Sequence, residues 1–208
     1  MKSTAYKLIE FFIIFIIIPV SYALHYPWQI KLTIGLLGFL YVIYILLNVE
    51  KNKFRLASNL NWKLFWKRTG LKFLVLAILT TLFVWFSEKA NLFEVFENKP
   101  KLWIMMVFMY AIFSVYPQEL IYRTLYFQRY ESLFKNKALF IVLNAIVFSM
   151  AHLFFRNTLV HILTFIGGIV FALTYNKTRS TVMVSIEHSI YGCWLFTVGM
   201  GSMLGFPS

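Results

Sequence analysis

Long apolar runs, broken by short clusters of Lys, Arg, Glu, Asn and Pro, set the rhythm of this chain. A helix needs about 20 consecutive apolar residues to cross a bilayer. Runs of that kind predict spans at roughly 8–24, 30–48, 71–87, 102–129, 138–155, 158–175 and 181–204. The stretch 102–129 is the least regular, because Pro117 interrupts it and Gln118, Glu119 and Arg123 follow. Proline leaves the carbonyl of residue 113 without its helical donor and favours a kink. The pattern therefore predicts an all-α, polytopic membrane helix bundle of about seven, or eight, transmembrane helices, with 1–208 as a single transmembrane domain.

Between the second and third runs, NLNWKLFWKR spaces Leu60, Leu64, Trp62, Phe65 and Trp66 helically, with Lys63, Lys67 and Arg68 interleaved. That pattern suits a helix lying in the cytoplasmic interface, with a solvated loop as the plainer alternative. The N-terminal run has the basic start of a signal peptide but no small-x-small cleavage site before the next span, and reads as an uncleaved first helix. There is no internal repeat of fixed period.

Composition agrees with this class. Hydrophobic residues make up 60% of the chain and charged residues 13%, against about 25% charged in soluble domains. The net charge is +12, and its distribution gives it meaning. With the N-terminus inside, fifteen of the twenty Lys and Arg residues fall on the inner side. These are Lys2, Lys7, Lys51, Lys53, Arg55, Lys63, Lys67, Arg68, Lys72, Arg123, Arg129, Lys135, Lys137, Lys177 and Arg179. Five fall outside: Lys31, Lys89, Lys99, Lys101 and Arg156. The imbalance predicts N-inside, C-outside topology and contact with anionic lipid, not nucleic-acid binding. The expected location is a bacterial cytoplasmic membrane. The single cysteine, Cys193, excludes an intramolecular disulfide.

Ionisable groups inside spans cost roughly 2.5–3.5 kcal/mol each on insertion scales, so those that persist point to a site. Glu119 and Arg123 are four apart on one helix face, His152 ends the fifth run, His161 lies in the sixth, Glu187 and His188 in the seventh, and Glu10 stands alone in the first. At 1.5 Å per residue, Glu119, His152 and His188 sit about 15, 21 and 10 Å from the inner ends of their spans. An intrahelical ion pair accounts for Glu119 and Arg123 without invoking function. The grouping favours more. A carboxylate beside two imidazoles in a low-dielectric pocket is an acid–base apparatus: the acid takes a proton from water, and the imidazoles hold that water or donate to an oxyanion. The same three residues could bind zinc, although no HExxH spacing is present. Metal is the secondary alternative, and no other cofactor is implied.

At these residues the sequence resembles the CPBP family of intramembrane proteases, which includes the Ras-converting CAAX endoproteases and bacterial bacteriocin-immunity relatives. The family motif EExxxR is matched by QELIYR at Gln118–Arg123, and FxxxH by FSMAH at Phe148–His152. The third motif, an intramembrane histidine followed four residues on by asparagine or a similar residue, is met in part by His188. The family-like core spans 102–204. Two positions depart from the pattern. Gln118 replaces the first glutamate, usually assigned to activate water, and Gly192, beside Cys193, replaces the polar residue after His188. Glu119 would then have to serve as the base, with the helix rotated or broken near Pro117, since adjacent helical residues point about 100° apart.

The resemblance implies a glutamate-dependent peptidase that cleaves a hydrophobic or lipidated peptide near the cytoplasmic face, with peptide or protein substrate and membrane lipids as its partners. Glu119, His152 and His188 are its catalytic candidates, and Gln118, Arg123, Phe148, Glu187, Gly192 and Cys193 their support. An inactive family member acting as a membrane binding or immunity protein is the first alternative, and a proton-coupled transporter using Glu10, His161 and Glu187 the second. For the rest, packing is expected: His161 as a satisfied core residue, Glu187 paired with Arg123 or a nearby hydroxyl, Tyr122 and Tyr191 as packing residues, Gly167 and Gly168 at a close helix contact, and His25 without a role.

Overall fold

The computed structural model describes residues 1, 3–53 and 60–204. Among them the secondary structure is helical: α1 (Thr4–Tyr22), α2 (Trp28–Val49), α3 (Trp62–Ser87), the short α4 (Glu94–Asn98), α5 (Pro100–Leu133), α6 (Lys137–Met150, with a tight turn at Leu153–Phe155), α7 (Thr158–Thr178) and α8 (Thr181–Thr197). Six are long and apolar enough to cross a membrane, and α8, at 17 residues, falls just short of that length. The polytopic helical class and a count of about seven therefore hold. Lys2, Arg55 and Asn59, which enter the basic tally and the expected interfacial run, lie outside the described residues, as do the last four positions.

Polar caps place the helix starts. The side chains of Ser3, Asn61, Asn136, Asn157 and Ser180 each accept a backbone N–H two or three residues on, satisfying donors that a helix start leaves open. The Asn61 cap starts α3 at Trp62, nine residues before the expected boundary. The basic-aromatic stretch is thus the first turns of a spanning helix, not a separate interfacial one.

The chain forms two compact units, Met1–Leu56 with Gln118–Arg179 and Ala57–Pro117 with Ser180–Ser208. In the first, Phe11, Phe15, Tyr122, Tyr126 and Tyr130 pack as neighbouring rings, with centroids 5.1–6.2 Å apart. A Cβ on Gly168 would come within 2.8 Å of the Ala145 Cα, so α6 and α7 meet backbone to backbone there, as expected. Gly167 does not share that contact; it faces Phe171 of its own helix. The end of α5, the start of α6 and the end of α7 converge on Glu131, which pairs with Lys137 and, at 2.6 Å, with Arg179.

In the second unit, polar tips of aromatic rings join the helices. Trp194 Nε1 donates to Thr80 Oγ1 at 2.9 Å, Trp103 Nε1 to Thr197 Oγ1 at 2.9 Å, and the Tyr191 hydroxyl to the Thr69 carbonyl at 3.1 Å. Such bonds supply association between helices that hydrocarbon does not drive apolarly.

Exposure is inverted relative to a soluble protein. Phe86 is 82% exposed and Leu71 67%, while Arg123 and Arg129 are 0% exposed, an arrangement suited to lipid and not to water. The two arginines are therefore buried charges and not loop charges.

Glu10 does not stand alone. Its carboxylate accepts from Arg129 Nε and, at 2.6 Å, from the Tyr41 hydroxyl. Arg129 also reaches Glu50 at 2.7 Å and the Met1 carbonyl at 2.8 Å, and Lys7 bonds the Arg129 carbonyl at 2.8 Å. This network ties α1, α2 and the end of α5, and it gives Glu10 a structural role where a transporter would need a proton carrier. Removing Arg129 would leave the buried Glu10 carboxylate without its cation, at a cost of about 3–5 kcal/mol. Arg129→Ala is expected to lower the melting temperature in detergent markedly; an unchanged midpoint would show that the network contributes nothing to the fold.

Candidate functional site

Helix α5 carries the acid. It continues through Pro117, with wide π-type turns at Tyr110–Val115 and Leu120–Leu125 on either side. A proline lacks the N–H for an ordinary helical bond, and π turns are a common way for a helix to absorb such an interruption, often at functional positions. The expected irregularity is therefore present as widened turns.

Glu119 and Arg123 are both fully buried and form the expected ion pair, Nε to Oε2 at 3.3 Å. Glu119 also receives a hydrogen bond at its backbone carbonyl from Thr124 Oγ1, at 3.5 Å. The guanidinium is held from several sides. Nη1 donates to Asn144 Oδ1 at 2.5 Å and to the Tyr122 carbonyl at 3.2 Å. The Phe148 and Phe171 rings lie 4.6 and 5.9 Å from its central carbon, within cation–π range. Asn144 in turn donates from Nδ2 to the Tyr122 carbonyl at 2.7 Å. Its amide orientation is dictated by chemistry, since the guanidinium only donates and the carbonyl only accepts. Asn144 carries no charge and so does not stand out in the sequence; the signal it offers there is a carboxamide in an apolar span.

His152 follows the end of α6. Its Nδ1 lies 2.8 Å from the Phe148 carbonyl, which can only accept, so Nδ1 carries the hydrogen. In the neutral ring Nε2 is then the lone-pair atom. Phe148 and Phe155 flank the imidazole at centroid distances of 5.0 and 6.0 Å. Glu119, Arg123, Phe148 and His152 are thus linked in one chain of contacts: acid to guanidinium, guanidinium to ring, ring to imidazole. Gln118, half-buried, adjoins the acid in sequence. His161 is half-buried, and its carbonyl accepts from Ser149 and Thr164. His25, given no role from sequence, accepts at Nε2 from Arg156 at 2.9 Å in the loop after α1.

The remaining candidates belong to the second unit. His188 is buried, with Nε2 3.2 Å from the Tyr110 hydroxyl. Glu187 is fully buried and takes Lys72 and the Tyr191 hydroxyl, at 2.9 Å, as its partners; the hydroxyl was expected, whereas the cation is Lys72 in place of Arg123. Lys72 belongs to α3 and not to a loop. The Cys193 thiol is half-buried, with Sγ 3.9 Å from the Val107 carbonyl. Among the described residues no group of three His, Cys, Asp or Glu side chains is placed to hold a metal ion.

These features define a polytopic helical membrane protein in which a buried acid–guanidinium pair is linked through Phe148 to a half-buried imidazole. Residues 100–194 match the family model described as type II CAAX prenyl endopeptidase, Rce1-like. The match starts with α5 and takes in QELIYR, FSMAH and His188 with its neighbours, bearing out the motif resemblance over slightly less than half of the chain. Its bounds are close to the expected core at the start and ten residues shorter at the end. No curated protein and no solved structure matches the chain.

Truncating Arg123 would leave the buried Glu119 carboxylate without its cation, at a cost of about 3–5 kcal/mol. Arg123→Ala is expected to lower the melting temperature in detergent, and Asn144→Leu to do so less, since it removes a neutral partner. Equal melting of Arg123→Ala and the parent protein would show that water reaches the site and screens the pair.

Proposed function

We propose that the protein is an intramembrane glutamate-dependent peptidase acting on a hydrophobic or lipidated peptide near the cytoplasmic face. The observation that carries this reading is the buried Glu119–Arg123 pair linked through Phe148 to His152, within the region that matches a CAAX prenyl endopeptidase family. In this mechanism Glu119 takes a proton from water. The resulting hydroxide bonds to the scissile carbonyl carbon, and the carbonyl π pair moves to oxygen. When the tetrahedral adduct collapses, the C–N bond breaks and the proton held by Glu119 passes to the leaving amine.

Tautomer divides the work of the histidines. With Nδ1–H committed to the Phe148 carbonyl, neutral His152 offers a lone pair and so accepts from the attacking water, orienting it. The hydrogen bond to the oxyanion is assigned to His188. Gln118 supports by hydrogen bonding, since a carboxamide is no base. The alternative of a binding or immunity protein is favoured by Gln118 and Gly192, which stand where the family pattern has a glutamate and a polar residue.

Cleavage of a farnesylated peptide ending in a CAAX sequence, by the full chain in proteoliposomes, separates these readings. Glu119→Gln, His152→Ala and His188→Ala are each expected to reduce kcat by roughly 10²–10⁴, with Gln118→Glu matching or exceeding the parent. Undiminished cleavage by Glu119→Gln overturns the mechanism. Absence of cleavage by the parent protein favours the binding alternative.

The same reading places the N-terminus and the loop after α2 inside. In a Cys193→Ser background, a cysteine at Lys89 is expected to react with an impermeant maleimide on intact cells, and one at Lys51 only after lysis. The reverse pattern would invert the topology.

A further inference from the structure

Position 192 has no side chain, and the space one would need is already filled. A Cβ on Gly192 would fall 2.2 Å from the Tyr110 hydroxyl oxygen and 2.4 and 2.5 Å from the adjoining ring carbons, closer than real atoms approach. Glycine is unfavourable inside a helix, and this approach of an aromatic ring gives the position its reason. The hydroxyl that crowds Gly192 is the one 3.2 Å from His188 Nε2, one turn earlier on α8. The two rings meet edge to face at 6.1 Å, and Phe196, a further turn along, holds Tyr110 from the other side at 4.8 Å. Tyr110 itself opens the π turn Tyr110–Val115 of α5. His188, Gly192 and Phe196 thus form one helix stripe on which a single phenol is seated.

We propose that Tyr110 is a positioning residue for His188, its hydroxyl bonded to Nε2, with Gly192 as the gap that admits the ring. The inference rests on the assignment of His188 to the peptidase reaction. A phenol hydroxyl bonded to Nε2 fixes which ring nitrogen carries the hydrogen, because one partner must donate and the other accept. It also sets the rotation of the ring about its χ2 angle. The hydroxyl reaches the imidazole on a rigid aromatic ring packed against Phe196.

The test uses the full chain in detergent, labelled with ¹⁵N-histidine, with the His188 resonances identified by their loss in His188→Gln. Tyr110→Phe keeps the ring and removes the hydroxyl. It is expected to shift the His188 ring nitrogens while the signals of the other three histidines stay in place, and to lower kcat on the farnesylated CAAX peptide about tenfold, in line with loss of one hydrogen bond at a reacting group, with KM unchanged. Gly192→Asn alone should lower the melting temperature through its clash with Tyr110. The double variant Tyr110→Ala with Gly192→Asn should recover both the melting temperature and the His188 resonances relative to Tyr110→Ala. Unmoved His188 resonances in Tyr110→Phe would reduce Tyr110 to a packing wedge and overturn the inference. If the parent protein fails to cleave the peptide, the peptidase reading falls, while the nitrogen shifts and the double variant still decide whether Tyr110 positions His188.

Discussion

Arginine keeps its proton in any protein environment, so a guanidinium on a membrane helix must be surrounded by acceptors before that helix can remain in hydrocarbon. Arg123 and Arg129 place this demand on α5 within two turns of each other, and the first unit is arranged to meet it. Arg129 draws Glu10, Glu50 and the Met1 carbonyl from α1, α2 and the N-terminus. Arg123 draws Glu119 from its own helix, Asn144 and Phe148 from α6, and Phe171 from α7. Apolar side chains have little preference between one another and lipid tails. The two guanidinium groups therefore do much to decide which helices of that unit are neighbours, and packing such as the Gly168–Ala145 contact follows on surfaces they bring together.

Local relations in this chain were legible and distant ones were not. Glu119 and Arg123 are four residues apart, and helical geometry alone predicts that they meet. Glu10 and Arg129 are separated by more than a hundred residues, and nothing in the periodicity of α1 points to the end of α5. Spans were readable because hydrocarbon thickness imposes a length. Their first turns were less so: Asn61 caps α3 ahead of Lys63, Lys67 and Arg68, and a hydropathy window sees that polar turn as loop. The same limit hid Asn144, a neutral side chain whose importance comes from the charge it faces. It also hid Tyr110, one of twelve tyrosines, whose role depends on a glycine eighty residues later.

The arrangement around Glu119 has both structural and chemical content, and the two are not in competition. A lone buried carboxylate would be costly in hydrocarbon, while a paired one with Arg123 and its aromatic flank can be retained. Retention is a condition for any reaction that uses it. An acid kept only for stability has an apolar replacement of similar volume that is often as good, so persistence of the pair beside an oriented imidazole is what favours the chemical reading.

The bond from His152 to the Phe148 carbonyl constrains that chemistry further. A neutral imidazole has one N–H and one lone pair, and when the N–H is spent on a main-chain carbonyl the ring can receive a proton or a hydrogen bond but cannot give one. Two histidines anchored to different partners are therefore not interchangeable. The one anchored through Nδ1–H is suited to water, and a donor to the developing oxyanion has to come from elsewhere. In the second unit His188 meets a hydroxyl, a group able to donate or accept, so its tautomer follows from its neighbour and not from a carbonyl that permits a single choice. The two rings thus differ in anchoring, with a fixed acceptor for His152 and an amphoteric partner for His188.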